Sequence, residues 1–375
     1  MRILLISESF GSPGGWATYA KNLAAGLKQQ GHNVMIYSAE SAGVFPALPS
    51  PIQTLSHPFR TLVRSWRLRS ALQKFPPDVI HITTEPYALL TALWPRALLK
   101  RTVMTIHGSY GVRLLQRWTS RHMLKRAFAN LPAFITVSAY TKKRVGEELS
   151  RRTTAGLAQK FLTNAQVIYN AIEKPQSTAQ KTKGPQELRQ ILLIGPVKPR
   201  KGVLEAVEAC ALYRQKYGTP FVLRIIGTKE DSPYTQRVQQ RMRELRLQDC
   251  IRFEGVLSAE KLTEAYGTAD LLLLPTRTTE NTFEGFGLVY IEAASYGVPS
   301  IGPDDSGAAE AVDEGRSGYR VHPTDATAIA ERMHWILDEH RISPETCRAW
   351  AERFSIQNMT KAMDNLYGTL KHHTA

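Results

Sequence analysis

Two glutamates eight residues apart, Glu284 and Glu292, enclose a glycine-rich stretch of the sequence. An apolar run over 269–275 precedes them and predicts a buried strand. The spacing that follows predicts a helix over 291–296, which ends before a glycine and a proline. Strand, loop and helix in this order place a set of backbone amides at a helix N-terminus. These are the amides of Gly285, Phe286, Gly287 and Leu288.

Such an N-terminus favours a phosphate group, because its N–H groups are free and the helix dipole is positive there. The carboxylates on either side, Glu284 in the loop and Glu292 in the helix, can accept hydrogen bonds from sugar hydroxyls. The pattern therefore fits a site for a phosphorylated, polyhydroxylated ligand. An ordinary strand–loop–helix unit with two surface glutamates explains the same spacing equally well.

Further candidates stand at the carboxyl ends of predicted strands, where ligands of α/β folds bind. Gly14 and Gly15 open a helix after the first strand and permit an anion to approach the backbone, although a plain turn has the same signature. His107 directly follows the predicted strand over 102–106, and a hydrogen-bonded structural histidine is its alternative interpretation. The first loop has neither the dinucleotide fingerprint nor the P-loop pattern, which disfavours a dehydrogenase.

Three cations, Lys198, Arg200 and Lys201, fall within four residues after the first strand of the second half. Cations grouped at a strand–helix turn could neutralise a diphosphate. A solvated loop is the alternative.

A chain of 375 residues is longer than a domain with a single hydrophobic core usually is, so two domains are expected. A hydrophobic content of 43% indicates folded material. The short apolar run near the start predicts a first strand rather than a signal peptide, and no run approaches the ~20 apolar residues of a membrane helix. The three cysteines are scattered and lack metal-ligand spacing, which is typical of reduced thiols in a cytoplasmic protein.

The net charge of +15 is concentrated in the first half: residues 1–175 hold 23 Lys and Arg against 7 Asp and Glu. An anionic partner is therefore expected there. No nucleic-acid-binding motif accompanies the charge, so nucleic acid is not expected as that partner.

Two predicted helices, over 59–74 and 114–129, set basic residues beside apolar ones, as suits an anionic membrane surface or acceptor. Solvated helices with their apolar sides in the core are the alternative. The basic residues are Arg60, Arg64 and Arg67 on the first, and Arg113, Arg117, Arg121 and Lys125 as one ridge on the second.

Apolar runs alternate with amphipathic segments along both halves, which predicts two Rossmann-like α/β layer sandwiches with parallel sheets. A polar segment with prolines near both ends marks the linker. The predicted division is a basic first domain over 1–175, a linker over 176–187, a second domain over 188–348 and a C-terminal segment over 349–375, whose predicted helix spans Ala349–Leu370. The ligand is expected at the carboxyl ends of the strands, in the cleft between the domains.

Taken together, these motifs resemble retaining glycosyltransferases of the GT-B fold, family 4. The resemblance covers nearly the whole chain and rests on both order and spacing. It implies two Rossmann-like domains whose parallel sheets face a central cleft, with the acceptor in the first domain and the donor in the second. The C-terminal helix would cross back to the first domain. The matching elements are Gly14-Gly15, His107, Thr136-Val-Ser138, Val167-Ile-Tyr-Asn170, Lys201-Gly202, Ala269-Asp270 and the pair Glu284 and Glu292.

The resemblance also implies roles for the donor-binding residues. The Gly15 amide and Lys201 would bind the diphosphate of a UDP- or GDP-linked sugar, and the amides from Phe286 to Leu288 would hold its phosphate and sugar. Glu292 would bind the ribose diol, and Val256 would lie near the base.

His107 and Glu284 would flank the transferred sugar. The leaving phosphate takes the acceptor's proton in this family, so neither a metal nor another cofactor is required. Two positions depart from the family pattern. Pro196 stands where an arginine usually contacts the diphosphate, with Lys198 or Arg200 as candidates to replace it, and Ala171 stands where a glycine is usual.

The sequence therefore predicts a cytoplasmic glycosyltransferase, peripheral on the inner face of the membrane. It would move a hexose-type sugar from a nucleotide-diphosphate donor to an anionic or lipid-linked glycan acceptor in polysaccharide or glycolipid assembly. The alternative, prompted by Pro196, is a module that binds nucleotide sugars with little transfer activity.

Overall fold

A computed structural model describes residues 1–8, 14–38, 48, 50–74, 76–175 and 188–372 of the chain. The predicted linker over 176–187, and the loop before Gly14 from residue 9 onward, lie outside these residues. The chain forms two compact units. Unit 1 comprises Met1–Glu173 and Ser355–Ala375, and unit 2 comprises Lys174–Phe354.

The strands and helices of unit 1 alternate along the chain. They are β1 Arg2–Ile6, α1 Gly15–Gln29, β2 Asn33–Tyr37, α2 Pro51–Ser56, α3 Pro58–Lys74, β3 Val79–Ile82, α4 Arg96–Leu99, β4 Thr102–Ile106, α5 Ser109–Gln116, α6 Trp118–Asn130, β5 Ala133–Thr136, α7 Ala139–Arg152, α8 Ala155–Asn164 and β6 Ala165–Val167.

Unit 2 follows the same alternation, and the last helix of the chain belongs to unit 1. The elements are β7 Arg189–Ile194, α9 Val203–Tyr217, β8 Phe221–Ile226, α10 Pro233–Glu244, β9 Ile251–Gly255, α11 Ala259–Thr268, β10 Leu271–Leu273, α12 Leu288–Ser295, β11 Ser300–Pro303, β12 Gly318–Val321, α13 Ala326–Leu337, α14 Pro344–Ala351 and α15 Ile356–His372.

Each unit is built on a six-stranded parallel sheet, which confirms the predicted α/β class. The strand order is β2-β1-β3-β4-β5-β6 in unit 1 and β12-β11-β10-β7-β8-β9 in unit 2. The inner strands are buried along their length because helices cover both faces of such sheets. The order reverses between β1 and β3 in unit 1 and between β7 and β10 in unit 2. These switch points are where doubly wound folds bind ligands.

Helix α15 completes the core of unit 1. It packs Met359, Met363 and Tyr367 into the same apolar cluster as Leu23 of α1. Gly26 allows the two helices to approach closely, since a Cβ there would lie only 2.3 Å from Thr360 Cγ2. None of the described helices, α15 included, combines the length and apolarity needed to cross a bilayer.

The single helix predicted over 114–129 is wrong, and so is its basic ridge. The segment forms two helices, α5 and α6, with Arg117 extended between them. The break is stabilised by side chains: Ser120 Oγ donates to the carbonyl of Leu114, and Arg121 Nη1 donates to that of Leu115 at 3.2 Å. These bonds satisfy carbonyls that the end of α5 leaves free.

The C-terminal helix predicted to begin at Ala349 is also interrupted. Ala349 lies in α14, a 3-10 turn covers Glu352–Phe354, and α15 begins only at Ile356. Ser355 caps the new helix, because its Oγ accepts from the amide of Asn358 at 3.2 Å.

Candidate active site

Three charged side chains converge at the switch point of unit 2. Arg200 and Lys201 lie in a 3-10 turn after β7, and Glu284 lies in the loop between β10 and α12. Glu284 Oε2 accepts hydrogen bonds from Arg200 Nη1 at 2.6 Å and from Lys201 Nζ at 2.8 Å. The side chains of Lys201 and Glu284 are only 11% and 17% exposed. Two cations that share one carboxylate keep an excess positive charge, which suits an anionic ligand.

Glu284 is ionised in this arrangement. Burial raises the pKa of its carboxyl group, but the charges and hydrogen bonds of Lys201 and Arg200 outweigh burial and lower the pKa to about 2. A carboxyl with such a pKa holds no proton at neutral pH. Glu284 can therefore accept hydrogen bonds or balance charge, but it cannot serve as a general acid there.

Close backbone packing holds the two loops of this triad together. Gly202 has a φ of +66°, and a Cβ at this position would lie 1.9 Å from the carbonyl oxygen of Pro275. The amide of Arg277 also donates to the carbonyl of Arg200 at 2.8 Å. The lysine–glycine pair in the sequence thus has a geometric basis, because only glycine lets the loop after β7 meet the loop after β10.

Of the three cations predicted in the loop after β7, the structure brings two to Glu284. The third, Lys198, is exposed and pairs with Glu230 at 3.3 Å. Arg200 thus joins Lys201 on Glu284, in the same loop as Pro196.

The predicted helix N-terminus is present in unit 2, three residues earlier than expected. Gly287 precedes α12 with a φ of +82°, and a Cβ there would lie 2.5 Å from the Tyr290 ring. The amides of Leu288 and Val289 stand in the first turn, where an α-helix supplies no acceptor, whereas the amide of Tyr290 donates to the Gly287 carbonyl at 3.1 Å. Phe286 is buried and packs on Phe354, with ring centroids 5.5 Å apart. This contact holds the loop that precedes α12 in place.

Glu292 lies on α12, one turn beyond this N-terminus. Its Oε2 accepts a hydrogen bond from the Tyr266 hydroxyl at 2.7 Å, and no described residue donates to Oε1. Burial raises the pKa of Glu292 and the Tyr266 hydrogen bond opposes that rise. Val256, the other predicted nucleotide contact, is 64% exposed at the end of the edge strand β9.

His107 of unit 1 follows β4, beside the switch point of that sheet. Its Nε2 bonds to the carbonyl of Thr83 at 2.8 Å, which makes Nε2 the protonated nitrogen. Burial lowers the pKa of His107 to about 4, although the Thr83 carbonyl opposes this. The ring also packs edge-on against Tyr19. His107 is therefore a neutral imidazole whose Nδ1 has no described partner and can accept a hydrogen bond.

The first predicted anion contact also lies in unit 1. Gly15 is the first residue of α1, after Gly14, and both glycines are exposed. The Gly15 amide therefore stands at an accessible helix N-terminus.

A buried chain of polar groups, which sequence reasoning missed, runs behind His107. His81 bonds to the Tyr367 hydroxyl at 2.6 Å through Nδ1 and to Thr105 Oγ1 at 2.7 Å through Nε2. Thr105 Oγ1 in turn bonds to the Tyr19 hydroxyl at 2.9 Å. Glu85, also buried, accepts from the amide of His107 at 2.7 Å. Among these residues, only Glu85 has a position in the sequence, shortly after β3, that could have indicated a functional role.

The basic helix α3 presents an unusual surface. Val63 and Trp66 are 53% and 62% exposed, whereas the polar Thr61 and Ser65 are buried. Arg60 and Arg67 lie on the exposed face with Val63 and Trp66, and Arg64 is half-buried. Val63 and Trp66 therefore do not face the core, whereas Leu68 and Leu72 of the same helix do.

Basic residues of α5 and α6 are arranged differently. Arg113 lies over the Tyr110 ring, with its guanidinium carbon 5.3 Å from the ring centroid. Arg117 and Lys125 are exposed, whereas Arg121 is half-buried and is engaged with the end of α5. Within the described part of the chain, no group of three or more His, Cys, Asp and Glu side chains could hold a metal ion.

Comparison with known families covers both units. The family described as Glycosyltransferase Family 4 matches residues 13–154, and the family described as Glycosyl transferases group 1 matches residues 176–354. The chain is a glycosyltransferase, and its two parallel sheets have the GT-B fold.

Several individual proteins are similar to this one. A glycogen synthase of Mycobacterium tuberculosis is 25% identical over 417 aligned positions, which cover 98% of this chain and 94% of that protein. A GDP-mannose-dependent phosphatidylinositol monomannoside mannosyltransferase of Mycolicibacterium smegmatis is 27% identical over 68% of this chain and 66% of its own. A putative colanic acid biosynthesis glycosyltransferase of Salmonella typhimurium is 28% identical over 43% of this chain and 39% of its own.

Solved structures share the fold along nearly the whole length. The sucrose-phosphate synthase of Thermosynechococcus elongatus superposes with a TM-score of 0.75 at 20% identity, over 99% of both chains. The HepE protein of Anabaena, solved with UDP and glucose, gives a TM-score of 0.70 at 17% identity, over 98% of this chain and 99% of that one.

Proposed function

We propose that this glycosyltransferase moves a hexose-type sugar from a nucleoside diphosphate to a glycan or lipid-linked acceptor, with retention of the anomeric configuration and without a metal ion. One observation carries the proposal: Arg200 and Lys201 are held side by side on Glu284 at the switch point of unit 2. Two cations that share one ionised carboxylate leave an excess positive charge that attracts a diphosphate. The donor is therefore proposed to bind in unit 2.

Each part of the donor has a partner in this proposal. The diphosphate binds to the side chains of Lys201 and Arg200 and to the backbone amides at the start of α12. The Oε1 atom of Glu292, which no described residue uses, accepts a hydrogen bond from the ribose hydroxyls. Glu284, freed in part from its cations, accepts a hydrogen bond from the sugar.

The chemical step needs little from acid–base side chains. The bond from the anomeric carbon to the diphosphate breaks, a bond to the acceptor oxygen forms on the same face, and the acceptor's proton passes to a phosphate oxygen. Stabilisation of the departing diphosphate by fixed cations supplies much of the rate. A Glu284 pKa of about 2 agrees with this role, because the group carries no proton to donate. In unit 1, Nδ1 of the neutral His107 accepts a hydrogen bond from a substrate hydroxyl.

The acceptor is proposed to belong to polysaccharide or glycolipid assembly. The relatives named above include enzymes of colanic acid synthesis and of phosphatidylinositol mannoside synthesis. The exposed face of α3 supports an acceptor at an anionic lipid surface on the cytoplasmic side. Its Val63 and Trp66 can enter the interface while Arg60 and Arg67 meet the headgroups, at roughly 1 kcal/mol per cation.

The donor site is tested by nucleotide binding. We expect Lys201→Ala to weaken UDP or GDP binding at least tenfold in calorimetry, because a shielded cation facing the diphosphate is lost. The matched control is Lys198→Ala, three residues away and paired with Glu230, which we expect to change the affinity less than twofold. Equal effects of the two substitutions would contradict the assignment. Transfer is then assayed with a panel of UDP- and GDP-sugars, selected by the thermal shift that each produces.

The second candidate is a module that binds nucleotide sugars without transferring them, and Pro196 in the loop after β7 is the observation that favours it. Release of sugar from any nucleotide donor by the wild-type protein, absent in Lys201→Ala, excludes this candidate. Binding without turnover across the whole panel supports it.

The lipid surface has a separate test. We expect the protein to sediment with vesicles that contain anionic lipid, and the substitution of Trp66 and Arg67 by Ser and Glu to abolish sedimentation. The matched control is Arg237→Glu on α10, an exposed arginine of unit 2 whose substitution changes the charge as much as that of Arg67 does. If the protein ignores anionic vesicles at low salt, α3 does not meet a membrane.

A further inference from the structure

A carboxyl group in unit 1 is buried without a counter-ion. Glu85 lies three residues after the end of β3, at the start of the 3-10 helix Glu85–Leu93, and its side chain is fully buried. Oε1 accepts from the amide of His107 at 2.7 Å, whereas Oε2 is buried and has no hydrogen-bond partner among the described residues. Within the described parts of the chain, no lysine or arginine forms an ion pair with it. A buried carboxylate with one bare oxygen is costly, so the position needs an explanation beyond stability.

Glu85 contacts both substrate-facing loops of unit 1. The amide of Gly108 and the indole N–H of Trp16 lie close enough to favour its ionised form, as does the amide of His107. Trp16 follows Gly15 on α1, and its ring packs on Tyr110 of α5 with centroids 5.0 Å apart. One carboxyl group therefore ties the start of α1 to the turn between β4 and α5.

The side chains around Glu85 supply no positive charge. Burial lowers the pKa of His81 to about 3 and that of His107 to about 4, so both rings are neutral at pH 7. Burial also keeps Tyr19 of α1 protonated by raising its pKa, and the same holds for Tyr87 in the 3-10 helix. The charge of Arg64 on α3 lowers the pKa of Tyr87 and Tyr37 and has no such effect on Glu85.

Among the described residues, only N–H dipoles thus oppose the cost of burying the Glu85 charge. Burial raises the pKa of Glu85 to about 7, although hydrogen bonds from nearby N–H groups lower it. These groups belong to Glu85 itself, His107, Gly108 and Trp16. The neutral acid is the form that fits the buried site, and the ionised form becomes common as the solution turns alkaline.

We propose that Glu85 is a positioning residue for sugar transfer: as a neutral acid, it fixes the Gly15 helix start and the His107–Gly108 turn relative to one another within unit 1. The inference rests on the proposed roles of Gly15 and His107. Ionisation of Glu85 loosens both loops at once, because the charge must then be hydrated or the loops must open to admit water.

The first test needs no substrate. The measured quantity is the midpoint temperature of thermal unfolding of the wild-type protein minus that of Glu85→Gln. We expect this difference to fall steadily as the pH rises from about 4.5 to about 7. Glutamine keeps an acceptor for the His107 amide and cannot ionise. The matched control is Glu148→Gln, which removes another buried carboxylate of unit 1 that, unlike Glu85, has arginine partners. A wild-type-minus-Gln difference that stays constant over this range overturns the proposal.

The second test uses a donor that the wild-type enzyme turns over, taken from the panel of UDP- and GDP-sugars described above, which includes UDP-glucose and GDP-mannose. We expect wild-type kcat to decline above pH 7, Glu85→Gln to keep at least a third of kcat without that decline, and Glu85→Ala to lose tenfold or more. The KM for the donor should change less than threefold in all three proteins. Full activity of a folded Glu85→Ala variant, or an unaltered alkaline decline in Glu85→Gln, overturns the proposal. Absence of turnover by the wild type instead contradicts the proposed function and leaves the unfolding test of Glu85 decisive.

Discussion

Replacement of Glu284 by glutamine tests the electrostatics of the triad most directly. The pKa of this carboxyl falls from 4.5 to about 2 in the folded chain. Each unit of difference corresponds to about 1.4 kcal/mol, so the folded state gains roughly 3 kcal/mol from the ionised group. With 17% of the side chain exposed, solvent screening removes little of this energy. Loss of one partner from a shielded ion pair costs a similar ~3–5 kcal/mol in other proteins.

The stabilisation has a defined pH window. Because the folded-state pKa is depressed, the contribution is fully present above about pH 4.5 and is lost as the pH falls towards 2. Urea unfolding of wild type and Glu284→Gln should therefore show a gap of about 3 kcal/mol at pH 7 that shrinks to roughly 1.4 kcal/mol at pH 3. Unit 2 must be followed by its own probe, since two units need not unfold together.

Two outcomes would refute this reasoning. A gap of the same size at pH 3 and pH 7 would mean that glutamine disturbs packing rather than charge. A Glu284→Gln variant as stable as the wild type would mean that Lys201 and Arg200 do not hold the carboxylate in solution. The substitution Glu345→Gln on the surface of α14, where the glutamate pairs with Arg348, is the control and should change stability little. UDP should also stabilise Glu284→Gln at least as much as the wild type, because its diphosphate can replace the missing counter-charge.

Three further predictions concern unit 1. Because burial lowers the pKa of His107 to about 4, the stability of the wild type relative to His107→Gln in urea unfolding should fall by ~1.4 kcal/mol per pH unit as the pH falls from about 6.5 to 4; a constant difference would contradict this. Tyr367→Phe leaves Nδ1 of His81 without its partner and should cost ~1–3 kcal/mol in thermal unfolding; an unchanged midpoint would show that the buried chain of polar groups contributes nothing. Gly26→Val forces a side chain into α15 and should destabilise by ~1–3 kcal/mol, whereas Gly156→Ala, which meets open space on α8, should not destabilise; a tolerated Gly26→Val would contradict the close packing of α1 and α15.

Much of the fold could be predicted from the sequence because parallel strands buried on both faces read as continuous apolar runs. The run at the start of the chain and the run at 271–274 both predicted strands of the sheets. Helix boundaries were harder where no glycine or proline marks them. The break at Arg117 depends on Ser120 and Arg121, whose side chains satisfy carbonyls of the preceding turn, and helical spacing carries no trace of such bonds.

The candidate site was predictable only in part, for a related reason. Strand ends fix where a loop lies, so Lys201 and Glu284 could be assigned to one edge of a sheet from sequence. The direction of a side chain within a loop depends on its partner, and the sequence could not show that Lys198 turns to Glu230 while Arg200 turns to Glu284. The bond between His81 and Tyr367 joins positions 286 residues apart, which leaves no periodic signal.

The place of α15 in unit 1 has a consequence for synthesis of the chain. Unit 2 is one continuous segment, whereas unit 1 lacks part of its core until Met359, Met363 and Tyr367 have been made. At ~5–20 residues per second, the ribosome needs roughly 10–40 s to pass from the end of β6 to α15. Throughout that interval the apolar face of α1 that α15 covers stays open to water on the nascent chain. The half of the protein that is translated first is thus the half that finishes folding last.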